Sequence, residues 1–193
     1  MDNSVQATTS TLATFRHVVT LKDGARVLFR PLVPGDYDNL VALYSNLSPE
    51  DRETMRQPVT PEVIQSWIDT LDYNRVLPVV AEVRHEIIGQ GTLHFGEGPY
   101  RHTAEIRLYL AKPWRQRGVG THMLRTMIDL ARRQGIGILT AEVIASHTHV
   151  IKAFGALGFK IKATLDDYFM LPDGRTLDVV LMINSLISHS DEF

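Results

Sequence analysis

Leu108-Tyr109-Leu110-Ala111-Lys112-Pro113-Trp114-Arg115-Gln116-Arg117-Gly118-Val119-Gly120-Thr121 is the stretch on which the reading of this chain turns. It begins as an apolar strand, passes through a basic turn and enters the clearest helical pattern in the sequence. Over residues 118–134, Val119, Met123, Met127, Leu130 and Ala131 fall on one face, with Arg132 and Arg133 in the last turn and Gly135 beyond. A strand running through a basic turn into a helix makes an anion cradle. The first N–H groups of the helix have no partner within it and lie at the positive end of its dipole. Gly118 and Gly120 have no side chain to block approach to that backbone, and Arg115 and Arg117 add positive charge. The better-known phosphate motifs do not fit: the P-loop lysine is missing, and Met123 stands where a dinucleotide fingerprint has its third glycine. A Gly-x-Gly turn between solvated arginines is by itself an ordinary connection, and it is the surrounding order of elements that favours the cradle.

Upstream, residues 77–83, 87–95 and 103–111 read as strands of an antiparallel meander, with Gly89 and Gly91 inside the second and Gly96-Glu97-Gly98-Pro99 before the third. Asp23-Gly24 between the apolar runs 18–21 and 26–32 marks a hairpin. Helices are expected in between. Asp36 would cap one carrying Leu40, Leu43, Tyr44 and Leu47, while Ser48-Pro49-Glu50-Asp51 and Thr60-Pro61-Glu62 each open another. Downstream come a strand at 136–144, a helix at 148–157 closed by Gly158-Phe159, and strands at 159–165 and 177–183 around Pro172-Asp173-Gly174. The expected fold is α/β (α+β), mixed and mostly antiparallel around one sheet flanked by helices. A single domain is expected over 15–187, with polar tails at 1–14 and 188–193.

A formal charge of −2, from 20 basic and 22 acidic residues, creates no general attraction to nucleic acid or anionic membrane, so an anion site must be local. The absence of cysteine removes thiolate nucleophiles, disulfides and sulfur-ligated metal. No apolar run approaches the roughly 20 residues that span a bilayer, and the start does not read as a secretion signal. A cytoplasmic location is the expectation.

Arg115-x-x-Gly118-x-Gly120 resembles the coenzyme A signature of the GNAT acetyltransferases: Arg or Gln, two residues, Gly, one residue, Gly or Ala. The resemblance runs over residues 16–183. Asp23-Gly24 through Arg30-Pro31, Leu47-Ser48-Pro49-Glu50 and Ala104-Glu105 are similar to the subset containing bacterial protein-lysine acetyltransferase domains. It implies a sheet whose strands splay at the cofactor site, with acetyl-CoA as cosubstrate and no metal. Pantetheine would lie along Leu108, Tyr109 and Leu110, whose amides face the thioester carbonyl and stabilise the oxyanion of acyl transfer. Pyrophosphate would rest on Arg115, Gln116, Arg117, Gly118, Val119, Gly120 and Thr121.

The attacking amine needs a base. A lysine-like amine has a pKa of about 10.4, and freeing it at neutral pH costs about 4.6 kcal/mol. By resemblance Glu105 stands at the catalytic glutamate, acting directly or through water. His147 stands where the family has an asparagine beside the pantetheine arm. Phe154 stands on the cofactor-side helix where the family often has an acidic tyrosine; it cannot donate a proton and fits its helix's apolar stripe. The coenzyme thiol is acidic enough to leave unaided, and Tyr168 is the other candidate acid. His147 and His149 lack an obvious third ligand for a metal.

The implied activity is acetyl transfer to a primary amine. A protein lysine comes first by resemblance, then a small amine, polyamine or amino acid. No nucleic-acid or membrane partner is expected, and a homodimer is compatible with this reading. The missing tyrosine leaves a non-catalytic acyl-CoA sensor as the alternative, and a nucleotide-binding or purely structural module would not respond to coenzyme A.

Overall fold

The computed structural model describes residues 12–187. In chain order the elements are β1 (His17–Thr20), β2 (Arg26–Pro31), α1 (Tyr37–Ser45), α2 (Pro49–Glu53), α3 (Pro61–Asp69), β3 (Val76–Val83), β4 (Glu86–Phe95) and β5 (Thr103–Leu110). There follow α4 (Val119–Arg133), β6 (Ile138–Ile144), α5 (Thr148–Gly155), β7 (Lys160–Met170) and β8 (Thr176–Ser185). The eight strands form one sheet in the order β1-β2-β3-β4-β5-β6-β8-β7. The β1/β2, β2/β3, β6/β8 and β7/β8 pairs are antiparallel, and β5/β6 is parallel. Helix α4 provides the crossover that a parallel pair requires.

Local sequence chemistry explains most boundaries. At the first hairpin Leu21 N–H bonds the Ala25 carbonyl at 2.8 Å, and Gly24 takes a left-handed φ of 85°. Ser48 Oγ accepts the Asp51 N–H at 3.1 Å, and Thr60 Oγ1 accepts the Val63 N–H at 3.4 Å, so both short helices start on the expected caps. The β3–β4 turn is made by Arg84 and His85, both left-handed, which is the twist a two-residue hairpin needs.

Asp36 departs from expectation. A 3-10 turn, Pro34–Asp36, precedes α1, and the Asp36 side chain makes no capping bond to that helix. Its carboxylate instead accepts two bonds of 2.7 Å from the Arg30 guanidinium and one of 2.8 Å from the Val33 N–H. Arg30 is 9% exposed and also donates to Glu82 at 2.7 Å. A buried guanidinium without carboxylates would be far more costly than a missing helix cap, so the ion pair prevails. The Arg30 pKa is correspondingly raised, first by its bonds to Asp36, then by those to Glu82, against the opposing effect of burial.

The described residues fall into two compact units: those up to Thr92 with Leu108–Thr126, and Leu93–Arg107 with those from Met127 onward. The first has a core of Leu32, Leu40, Leu43, Tyr44, Ile64 and Val80, among others, joining α1 and α3 to the early strands. In the second, Leu139, Ala141 and Val143 are the buried set of alternating β6, and Phe154 meets Phe159 edge-on at 4.9 Å. Buried Asn184 donates to the Leu157 carbonyl at 3.0 Å and packs against left-handed Gly158.

Strand β7 runs to Met170, past the end expected at residue 165. The pairing shifts between Leu165 and Phe169, where Asp167 is left-handed and its N–H bonds Asp178. This bulge interrupts the alternation that marks a strand in sequence. Of the tails expected at 1–14 and 188–193, residues 12–14 are helical and Leu12 is buried; the rest lie outside the described residues. No helix among the described residues is long and apolar enough to cross a membrane.

Candidate active site

In the first unit, β5 ends at Leu110, a 3-10 turn of Lys112–Trp114 follows, and α4 starts at Val119. Gln116 and Gly118 are both left-handed, at φ 59° and 89°. Bonding of the helix begins with the His122 N–H on the Gly118 carbonyl at 3.1 Å. The amides of Val119, Gly120 and Thr121 therefore carry no intrahelical bond and stand at the positive end of a 15-residue helix. This is the backbone arrangement the sequence predicts for an anion.

The two glycines have different tasks. At Gly118 a Cβ would meet nothing closer than the His122 ring at 4.0 Å, so the demand is conformational. At Gly120 a Cβ would lie 3.2 Å from Leu110 Cδ1 and 3.7 Å from Leu108 Cδ2, so its smallness lets the helix pack on β5. On the other side, a Cβ at Gly89 of β4 would stand 2.3 Å from Leu110 Cδ2 and 2.8 Å from the Tyr109 carbonyl oxygen. Leu110 is thus held between two glycines.

Both arginines of the turn are paired. Arg115 donates from Nη2 to Asp51 Oδ2 at 2.7 Å and from Nε to the Leu110 carbonyl at 2.9 Å, with its Cζ 5.6 Å from the Tyr109 ring centre. Arg117 donates to Asp23 Oδ2 from Nε and Nη2 at 2.9 and 2.6 Å and stacks 4.2 Å from Trp114. In sequence the two arginines stand as positive charges available to an anion; in the fold Asp51 and Asp23, 64 and 94 positions away, answer them. Arg117 and Trp114 also border an open groove of about 940 Å³, whose walls carry Arg26 and Arg84 but also Asp23 and Glu86, so it does not select one sign of charge.

These pairings shape the local electrostatics. Burial acts to raise the Asp51 pKa, but bonds from Arg115 and Ser48 and the charges of Arg115 and Lys112 outweigh it and hold the carboxyl below its ordinary value. The Tyr109 phenol is pushed up, first by burial and then by Asp51, with Arg115 pulling the other way. Tyr109 stacks on Tyr44 at 5.6 Å, Tyr44 meets Trp67 edge-on at 5.8 Å, and the Tyr44 hydroxyl donates to Gln90 Oε1 at 2.6 Å. Burial pushes the Tyr44 phenol up strongly, so it stays protonated.

In the second unit, Glu105 lies where β5 pairs with β6. The parallel register covers Thr103, Ala104 and Glu105 opposite Ile138, Leu139 and Thr140, and β5 continues to Leu110. Arg107, two residues on and on the same strand face, grips the Glu105 carboxylate with two of its three nitrogens, Nε at 3.0 Å and Nη2 at 2.7 Å. The pair is partly open, at 24% side-chain exposure for Glu105 and 38% for Arg107. His147 is the residue before α5, and its ring lies 6.3 Å from that of His149. No group of three His, Cys, Asp or Glu among the described residues could hold a metal. Phe154 is 5% exposed and packed on Phe159, as its apolar stripe indicates, while Tyr168 is 58% exposed on β7. The structure thus brings Leu108, Tyr109, Leu110 and Arg115, Gln116, Arg117, Gly118, Val119, Gly120 and Thr121 together in one unit, and Glu105, His147 and Phe154 belong to the other.

A mixed sheet with a parallel β5/β6 pair, and a strand entering a helix through a glycine turn with outward amides, defines a fold of the coenzyme-binding acyltransferase type. Residues 40–159, more than half of the chain, match the model of the Acetyltransferase (GNAT) family, and the chain belongs to that family. It is accordingly an acetyl-CoA-dependent N-acetyltransferase. YwnH of Bacillus subtilis (strain 168), provisionally named a phosphinothricin acetyltransferase, is 27% identical over 127 residues, 64% of this chain and 78% of that one. The L-methionine sulfoximine/L-methionine sulfone acetyltransferase of Pseudomonas aeruginosa is 26% identical over 152 residues, 76% of this chain and 87% of that one. The structure of YncA from Salmonella typhimurium with its cofactor acetyl-CoA shares the fold at a TM-score of 0.70 and 19% identity, covering 86% of this chain and 96% of that one.

Proposed function

We propose that this enzyme acetylates the amine of a small amino acid, with Glu105 as the base, Arg107 as the anchor for the acceptor's carboxylate, and the amides opening α4 as the seat of the coenzyme's diphosphate. Acetyl-CoA supplies the activated acyl group. Leu108, Tyr109 and Leu110 present main-chain amides to the thioester oxygen. Glu105 takes the proton of the ammonium, directly or through one water, and the freed nitrogen attacks the thioester carbon. An amide of β5 holds the resulting oxyanion, and as the carbon–sulfur bond breaks the nitrogen's second proton passes through solvent to the departing thiolate, leaving the amide product and the free thiol. The acid for the leaving thiolate is not a side chain at position 154, and the thiolate's own stability serves instead.

The observation that carries the acceptor class is the Glu105–Arg107 pair, a half-open carboxylate and guanidinium on one strand face. An amino acid brings the opposite pair, an ammonium and a carboxylate, and exchanging partners leaves no charge unmatched. The acceptors named for the Pseudomonas relative, L-methionine sulfoximine and L-methionine sulfone, are amino acids.

The test follows free thiol release from acetyl-CoA with amino acids and with the corresponding decarboxylated amines. Amino acids should be the better acceptors. Arg107→Gln should raise the amino-acid KM by roughly 10-fold or more, the scale of a charge-assisted bidentate contact, and leave the decarboxylated amine's KM unchanged. Equal loss for both acceptor types would remove Arg107 from carboxylate recognition. An absence of thiol release across every acceptor tried, alongside a coenzyme A thermal shift of roughly 5 to 10 °C at 100 times Kd, would turn the reading to a sensor.

A further inference from the structure

We infer that Arg115 is a strut rather than a diphosphate ligand, and that Asp51 is a positioning residue that holds the cofactor turn through it. The inference deepens the acetyl-CoA reading above and rests on it.

Arg115 sits between two left-handed residues and the end of β5. It is the residue after the 3-10 turn, and Gln116 and Gly118 follow with positive φ. A segment with so little regular bonding keeps its shape only through outside contacts. Arg115 supplies them. Its Nε bonds the carbonyl of Leu110, the last residue of β5, just before Ala111 makes its 2.9 Å bond to the Ile88 carbonyl. Its Nη2 reaches Asp51 in the first turn of α2, and its guanidinium lies beside the Tyr109 ring that stacks on Tyr44. One side chain thus ties the turn to the strand before it, to α2 and to the aromatic face of α1.

Asp51 is itself fixed: its N–H bonds the capping Ser48, and its side chain is only 17% exposed. An Arg115 committed at 2.7 Å to a carboxylate has its charge already matched, and a diphosphate would have to break that bond to use it. The depressed Asp51 pKa agrees with a pair that stays ionised.

The two accounts of Arg115 predict opposite signs. If the guanidinium gripped the diphosphate, Asp51→Asn would release it and coenzyme A would bind as well or more tightly. If it is a strut, Asp51→Asn loosens the turn and binding weakens, although Asp51 touches no ligand. The experiment is calorimetric titration of the full chain with coenzyme A for wild type, Asp51→Asn, Arg115→Gln and the double variant, with amide exchange of residues 111–118 measured on each. Each single variant should weaken Kd by about 10-fold, and the double by about 10-fold rather than 100-fold, because both break the same link. Exchange across the turn should quicken in both singles, Asp51→Glu should recover part of the affinity, and kcat of Asp51→Asn at saturating acetyl-CoA should stay within about two-fold. Unchanged or tighter binding by Asp51→Asn, with weaker binding by Arg115→Gln, would overturn the inference. Were wild type to bind no coenzyme A, the functional reading would fall, while exchange would still decide whether Asp51 holds the turn.

Discussion

Replacing Gly89 by alanine should damage the enzyme from a position that touches no substrate. The added Cβ would sit 2.3 Å from Leu110 Cδ2, against a comfortable carbon–carbon contact of roughly 3.5 Å, and 2.8 Å from the Tyr109 carbonyl oxygen. Leu110 is 9% exposed, and its other methyl faces Gly120 on α4, where an alanine Cβ would already stand within 3.2 Å. The Tyr109 oxygen is main chain and moves only with β5. Overpacking of this kind costs about 1–3 kcal/mol, or roughly 2 to 12 °C of melting temperature for a chain of this size. Because the strain falls on Tyr109 and Leu110, whose amides are the proposed oxyanion donors, kcat should drop about 10-fold. That is a fraction of the roughly 100-fold that a 1 Å misplacement can cost. Gly155→Ala is the control: a Cβ there meets nothing within 4 Å, and the change should leave stability equal or raise it by about 0.5–1 kcal/mol. Thermal melts and thiol-release kinetics on the two variants decide the matter. If Gly89→Ala matches wild type in both, the close approach of β4 to β5 at Leu110 is wrong, and so is the role given to that glycine.

Two further outcomes are expected. Glu105→Gln should lower kcat by roughly 100-fold or more while leaving the acetyl-CoA KM unchanged, with the deficit shrinking as pH approaches the acceptor amine's own pKa; a flat comparison across pH would remove Glu105 as the base. His122 has its pKa lowered by burial, then by Arg125 and His17. The unfolded chain, with a histidine pKa of about 6.5, therefore binds that proton more readily than the folded one. Stability should fall as pH drops through about 6.5 toward the lower folded value, and His122→Gln should flatten that part of the curve in denaturant titrations; an unaltered curve would show the pH dependence lies elsewhere.

Much of the fold was legible because its signals are local. Asp23-Gly24, Ser48-Pro49 and Thr60-Pro61 each act within four residues, and the structure places a hairpin and two helix starts on them. The apolar stripe of α4 was as plain, and with it the helix start at which the first amides precede the helical bonding. What escaped depends on partners distant in sequence. Asp36 reads as a helix cap until burial of Arg30 claims it. Arg115 and Arg117 read as available cations until Asp51 and Asp23 are brought against them. Gly120 reads as an opening for a ligand, yet the nearest thing to it is Leu110. Arg107, the acceptor anchor proposed above, escaped for another reason: its partner Glu105 is two residues away, and only alternation along β5, which puts both on one face, could have singled it out.

These distant partners change what the signature residues do. Arg115 and Arg117 are neutralised by carboxylates, Gly118 answers a backbone conformation, and Gly120 makes room for a leucine. The feature left to meet a diphosphate is the main chain itself: amides ahead of the first helical bond, at a helix end worth roughly half a positive charge. In that reading affinity rests on the shape of the turn more than on nearby charge. A chain of formal charge −2 can then hold a highly anionic coenzyme without a basic patch, provided that Asp51, Leu110 and Gly89 keep the turn where it is.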